Sequence, residues 1–310
     1  MKIFSLFCLL SFTNLNAQLS ISNKSDIIAL EKKMQRASNR MIFDTSQMNR
    51  QKSTYEFIKL LKDALKIEGS FQYKFDSIQY ISKAYSPDSL FRIFTFQLTL
   101  NNRTVRHYGC IQLNKKGSKI IPLIDHSDTF PLTPQERITN KNWFGAVYYK
   151  IISKNIGKQK QYFVFGFDPN DVFSSKKMVE PIEIVGDSMA YFGKPMFEKT
   201  TTKKDPLSGE VITKKEILHR YIVEYSAQAN ISLNYDESKG LITHDHVTSK
   251  NAKLADLSFT KIPDGSYEGL KWEKDKWIWQ NYIQIGEKEL NQPINPLPIK
   301  EKKKLIHRDE

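Results

Sequence analysis

The sequence predicts a mainly β protein: antiparallel, meander- or sandwich-like sheets preceded by two N-terminal helices. Three observations carry this prediction. Apolar residues recur at helical spacing only before about residue 70. From Phe71 onward, period-two runs separated by turn residues take over. Almost no helical stretch lies between those runs, which favours antiparallel pairing over parallel strands joined by crossovers. The chain divides into a leader, 1–17, a helical segment, 18–69, a β-rich domain, 70–290, with room for two packed sheets, and a basic, proline-containing tail, 291–310.

In SDIIALEKKMQRASNRMIF, Ser25 or Asp26 is placed to cap the first turn, and Ile27, Leu30, Met34, Ala37 and Met41 form one stripe. In STYEFIKLLKDALKIEGS the stripe is Phe57, Leu61, Ala64 and Leu65, with Gly69 as a left-handed stop. Both stripes need a surface to cover, so both helices are expected to pack on the sheets. The strand runs open with DSIQYISKAY, SLFRIFTFQLTL, TVRHYGCIQL and SKIIPLI, broken at Asn101-Asn102 and Lys115–Gly117. TPQERITN reads as a short capped helical turn. NWFGAVYYKII and KQYFVFGFD then form a hairpin, and the first of them, apolar on both faces, is expected to be a central strand. MVEPIEIV pairs with MAYFGKPMFE around Gly186-Asp187. KEILHRYIVEYSAQANISLNYD meets GLITHDHVT across Glu237–Lys239, and YEGLKW with KWIWQNYI closes the domain. No fixed-length repeat is visible, which argues against a propeller or solenoid. The tail, NQPINPLPIKEKKK, reads as an extended segment.

The start of the chain reads as an export signal. Lys2 is followed by an apolar run from Ile3 to Phe12, then a short polar stretch ending in Ala17, and the run is too short to span a bilayer. Cys8 lies inside the run, not at its end behind a small residue, which argues against lipid attachment. Cleavage after Ala17 takes 17 of the 310 residues and leaves 293, with Cys110 as the one thiol. An exported chain with one cysteine forms no internal disulfide, so its core must hold it together. Cys110, in the strand-like RHYGCIQL, reads as a small packed hydrophobe with no activating partner in sequence.

The formal charge is +13, and +12 once Lys2 is removed with the leader. Such an excess favours anionic surfaces and carries no information about fold. No nucleic-acid-binding motif is present, so the expected partners are an anionic envelope lipid, a polysaccharide or another protein. The densest basic patch is Lys300–Arg308, which also reads simply as a solvated tail.

NWFGAVYYKII, YFVFGFDPNDVFSSKK and LNYDESKGLITHDHV, together about a quarter of the chain, resemble a group of uncharacterised exported proteins of Bacteroidota bacteria. The resemblance implies a periplasmic, cell-surface or secreted setting and transfers no activity.

Three constellations could carry chemistry. In THDH, His244 and His246 lie two apart on one strand and project from one face, a geometry in which two imidazoles can share zinc. Asp236 or His219 would be the third ligand, since Asp245 points the other way. Leu241, Thr243 and Val247 form the apolar face of this strand, so a polar strand end near solvent accounts for the same residues more simply. In GFDPNDVFSS, Asp168, Asn170 and Asp171 could line a calcium loop, but Asp-Pro-Asn-Asp is also ordinary turn chemistry. Trp272, Trp277 and Trp279 would form a sugar-stacking platform if exposed. With a turn through Glu273–Lys276, Trp272 sits opposite Trp277 as a hairpin staple instead, worth up to about 1 kcal/mol per pair.

No HExxH helix, GxSxG elbow, phosphate loop or dinucleotide fingerprint occurs. Carboxylate pairs of glycosidase type leave no local signature. The expected function is therefore non-catalytic: an exported β-rich protein that binds an envelope component or partner protein, with no cofactor required. The alternative is an exported hydrolase, either metal-assisted through His244 and His246 or carboxylate-based.

Overall fold

The computed structural model describes residues 19–129, 133–204 and 208–283; the leader 1–17 and the tail 291–310 lie outside them. Helix α1 (Ile21–Phe43) is capped by Ser20, whose side chain accepts from the Asn23 N–H, so it begins a turn before the Ser25 or Asp26 cap read from sequence. Helix α2 (Gln47–Lys66) buries Phe57, Leu61, Ala64 and Leu65, the stripe the spacing predicts, and Gly69 takes a left-handed φ of 79° just beyond it.

Among the described residues sixteen strands follow, in three sheets. The first sheet holds β1 (Ser82–Tyr85), β2 (Phe91–Thr99), β3 (Val105–Leu113) and β4 (Ile120–Leu123), in that order. The second has the order β5-β9-β8-β7-β6, formed by β5 (Ile138–Thr139), β6 (Val147–Ile156), β7 (Gln159–Asp168), β8 (Ser174–Val185) and β9 (Met189–Phe192). Strand β12 (Tyr221–Ser226) pairs with the first half of β8. The third has the order β11-β10-β16-β15-β14-β13: β10 (Phe197–Lys204), β11 (Val211–Leu218), β13 (Leu233–Asp236), β14 (Leu241–Ser249), β15 (Lys261–Glu273) and β16 (Lys276–Gln280). Pairing between these strands is antiparallel, except that β10 and β16 run parallel at Phe197–Trp277.

Layering follows from which faces are apolar. One core lies between the helices and the first sheet, with Phe94, Phe96 and Leu98 of β2 beneath Phe57 and Leu61. A second, around Ile93, Ile111, Trp143 and Val164, joins the first sheet to the second. A third, around Phe163, Phe165, Leu270 and Trp277, joins the second to the third. The middle sheet is thus apolar on both faces, and Phe163, Val164 and Phe165 of β7 are all fully buried.

Several local readings change. Strand β6 is an edge strand paired with β7 alone, although both of its faces are covered. A bulge between Tyr148 and Lys150 shifts its alternation, so that Tyr148 and Ile151 share one core while Ile152 enters the other. Burial on both faces made it look central, but sequence patterns report face burial and not hydrogen-bonded neighbours. Within TPQERITN no helix forms; Ile138–Thr139 pairs instead with Phe192 and Tyr191. The run from Asp76 to Ile81 is irregular, and only Ser82–Tyr85 is strand. The long run 215–236 breaks twice: at His219-Arg220, where the chain crosses from the third sheet to β12 beside the second, and at residues 227–232, where it returns to β13 in the third.

A buried polar network marks that crossing. Arg220 is fully buried; its Nε donates to Glu180 Oε2 at 2.9 Å and its Nη1 to the Thr133 carbonyl at 2.7 Å. Tyr148 donates to Glu180 Oε1 at 2.5 Å and accepts from Trp143 Nε1 at 2.9 Å. Gly193, at φ 88°, admits the guanidinium: a Cβ there would stand 2.8 Å from Arg220 Nη2. Replacing Arg220 with Met leaves the Glu180 carboxylate buried without its cation and is expected to cost about 3–5 kcal/mol, with the Glu180→Leu/Arg220→Met double variant recovering most of it. Urea midpoints at constant m-value measure both; a single variant as stable as wild type would refute this account of the pair.

Candidate functional site

Strand β14 lies between β13 and β15, with His244 opposite Glu268. Its core face is the one carrying Ile242 and His244, which are 0 % and 1 % exposed, and not the Leu241, Thr243 and Val247 face. Both faces mix apolar and polar residues, so period-two alternation did not rank them; Leu270 and Trp277 across the sheet did. His244 is therefore a core residue, whereas the His246 side chain is 33 % exposed.

The surroundings of the two histidines explain their states. His244 Nδ1 lies 2.8 Å from the Asp245 carbonyl, an acceptor only, so Nδ1 carries the proton and Nε2 accepts from the Tyr221 hydroxyl at 2.8 Å. Burial holds this imidazole neutral and lowers its pKa to about 4. His246 Nδ1 sits 2.7 Å from Asp264 Oδ2. The Glu268 carboxylate lies between the rings, 3.7 Å from His244 Nε2 and 3.6 Å from His246 Nε2, and accepts from Trp279 Nε1 at 3.3 Å. Burial raises the Glu268 pKa.

Glu268 was not anticipated from sequence; the signal for it is the register of β14 against β15, which only pairing reveals. The expected third ligands lie elsewhere. Asp236 accepts from Ser238 Oγ and the Lys239 N–H, and the His219 N–H donates to the Pro134 carbonyl. Asp245 accepts from the Ser232 N–H and Oγ. Among the described residues no group of three or more His, Cys, Asp or Glu side chains is arranged to hold a metal ion.

The other two constellations are also engaged within the fold. Trp272 pairs with Trp277 in the expected register, and Lys274 and Asp275 between them both take positive φ, as a type I′ turn requires. Trp277 is fully buried, edge-on to Trp272 at 5.1 Å and Phe163 at 5.7 Å, while Trp272 and Trp279 are half-buried against the same core. Asp168 is buried, accepts from the Asn170 N–H and lies 3.7 Å from His107 Nε2. Asp125 stands on the far side of His107, 3.7 Å from Nδ1. Asp171 is exposed and caps the Phe173 and Ser174 N–H groups. The two loop carboxylates thus serve different turns and do not converge.

A third region gathers positive charge. Lys62 and Lys66, one turn apart on α2, and Lys119, before β4, are exposed around one opening between α2 and the first sheet. The single carboxylate on that opening, Asp187, accepts from Lys115 Nζ at 2.8 Å, which offsets its charge.

No protein-family profile, curated protein or solved structure matches the chain.

The buried neutral His244 makes folding pH-dependent. Its folded pKa of about 4 lies below its ordinary value of 6.5, so its contribution is complete above pH 6.5 and is lost as pH falls towards 4. At about 1.4 kcal/mol per unit, the loss approaches 3 kcal/mol. Glu268, with its raised pKa, works in the opposite sense. Urea midpoints followed from about pH 7 to pH 4 are expected to fall less steeply in His244→Asn than in wild type; parallel curves would show that His244 is not a buried neutral imidazole.

Proposed function

We propose that the protein is an exported, non-catalytic β protein that binds an anionic component of the cell envelope through the lysine-ringed opening between α2 and the first sheet. The observation that carries this reading is the local charge: three lysines line one opening, and its one carboxylate, Asp187, is already paired with Lys115. Exposed lysines near an anionic lipid surface contribute about 1 kcal/mol each. The leader-like start of the sequence supports export, and among the described residues no helix is long and apolar enough to cross a membrane.

The triple variant Lys62→Gln/Lys66→Gln/Lys119→Gln is expected to bind phosphatidylglycerol-containing vesicles about a hundredfold more weakly than wild type, with a smaller salt dependence. Neither protein should bind pure phosphatidylcholine. Co-sedimentation measures this, and equal binding by the variant would remove the opening from the reading. N-terminal sequencing of the protein recovered outside the cytoplasm should begin at Gln18; recovery with Met1 in the cytoplasm would oppose export.

A second reading, an exported hydrolase, is favoured by the half-exposed His246 beside Glu268. Metal analysis of residues 18–310 beside His246→Ala tests its metal-assisted form. Stoichiometric zinc in the first and none in the second would displace the binding reading.

A further inference from the structure

We propose that the opening leads into a binding groove for a single-chain anionic amphiphile, with the acyl chain lying between α2 and β3–β4 and the anionic head meeting Lys62, Lys66 and Lys119. This rests on the reading above and names the class of ligand.

The groove is a consequence of how the helices sit. In β3 and β4, Ile111, Leu113, Ile121 and Leu123 face the second sheet. The alternate residues Tyr108, Cys110, Ile120 and Pro122 therefore project to the helix side. The helices pack on β2, above Phe94, Phe96 and Leu98, and α2 meets the strands beyond it near its two ends, where Tyr55 is hydrogen-bonded to Tyr108 and where its last turn lies over Gln112 and Ser118. There Gln112 Nε2 donates to the Leu65 carbonyl and Ser118 Oγ to the Ile67 carbonyl, which ties the end of α2 to the sheet. What remains is a cavity of about 490 Å³, walled by Ile58 and Leu61 above and by Tyr108, Cys110, Ile120 and Pro122 below. That volume lies within the range of small-molecule sites.

The chemistry of the wall selects the ligand. Its surface is mostly hydrocarbon, so a sugar would lose hydrogen bonds on entering, whereas an alkyl chain loses only contact with water. The cations stand at the rim and not in the wall, which suits a head held at the surface with its chain directed inwards. Lys62, Lys66 and Lys119 are exposed, while Tyr108, Cys110 and Ile120 are half-buried at the margin of the helix-side core. A membrane surface alone would use the lysines and leave the groove empty.

Cys110 supplies an internal reporter. It is a groove-wall residue and the one cysteine after Ala17, so a small maleimide reads the occupancy of the groove directly. Burial pushes its thiol up to about 12, so labelling is slow and is followed over hours at mildly alkaline pH.

The test uses residues 18–310 with saturated fatty acids from octanoate to palmitate, displacing a fluorescent fatty acid. Affinity is expected to rise about three- to fourfold per added methylene until the groove is full. Palmitate should protect Cys110 from the maleimide, and hexadecanol should bind at least tenfold more weakly than palmitate. Cys110→Phe, which fills the groove without touching a lysine, should lose palmitate binding yet still co-sediment with anionic vesicles. Protection of wild-type Cys110 tests the same point should that variant fail to fold. Vesicle binding without chain-length dependence or protection would overturn the groove and leave the lysine reading standing. Failure of both vesicles and fatty acids would overturn both.

Discussion

The ion pair between Glu180 and Arg220 is the interaction on which the layering depends. Arg220 lies where the chain leaves the third sheet for the second, and its donors reach Glu180 on β8, the Thr133 carbonyl and the Phe192 carbonyl at the end of β9. Glu180 in turn holds Tyr148, whose N–H donates to Thr95 Oγ1 in the first sheet. One buried carboxylate thus ties the first sheet to the second and anchors the point at which the chain arrives from the third. A sheet apolar on both faces could slide between its neighbours at little cost; directional bonds at its centre specify one position.

That arrangement also decides where chemistry can occur. The middle sheet is closed on both sides, so solvent meets the outer face of the third sheet, the sheet edges, the outer faces of the helices and the part of the first sheet beside α2. His244 shows the consequence: a residue that looks like a ligand in sequence is enclosed with Tyr221 beneath β14, while its neighbour in the same motif stays half-exposed. The aromatic hairpin behaves likewise, because Trp277 completes the core that Phe163 begins.

The N-terminal stripes, the strand-to-turn alternation and the Trp272–Trp277 register were legible because each depends on local spacing: 3.6, 2, or the length of a turn. The third sheet was not, because its strands are drawn from residues 197–280 with β12 diverted to another layer, and no local pattern announces a change of sheet. Glu268 and Asp125 were illegible for a related reason. Each meets its histidine through strand pairing or loop packing, eighteen or more positions away in the chain, and an isolated carboxylate in a strand or turn carries no local mark of that role. The lysine opening was missed because its members come from α2 and from beside β4, each an ordinary solvated charge in its own segment.

The difference at the start of β1 accounts for the groove. Residues 76–81 were expected to extend β1, which would have given the first sheet a longer edge for the helices to lie across. Instead the segment from Tyr73 to Ile81 folds irregularly beside the sheet and takes its cover from α1. Glu31 accepts from Tyr73 and the Ser77 N–H, Phe43 meets Tyr80 edge-on at 5.2 Å, and Phe75, Ile78 and Ile81 join the helix-side core. Two helices have a fixed width, and α1, drawn over this segment, leaves α2 alone above β3 and β4. A chain without a disulfide has reason to cover a loop that carries three large apolar residues, since loop exposure would cost more than a shallow groove lined by half-buried ones. The half-covered strip on the first sheet is therefore the complement of a well-covered loop, and its alternating apolar residues form the floor of the groove beneath α2.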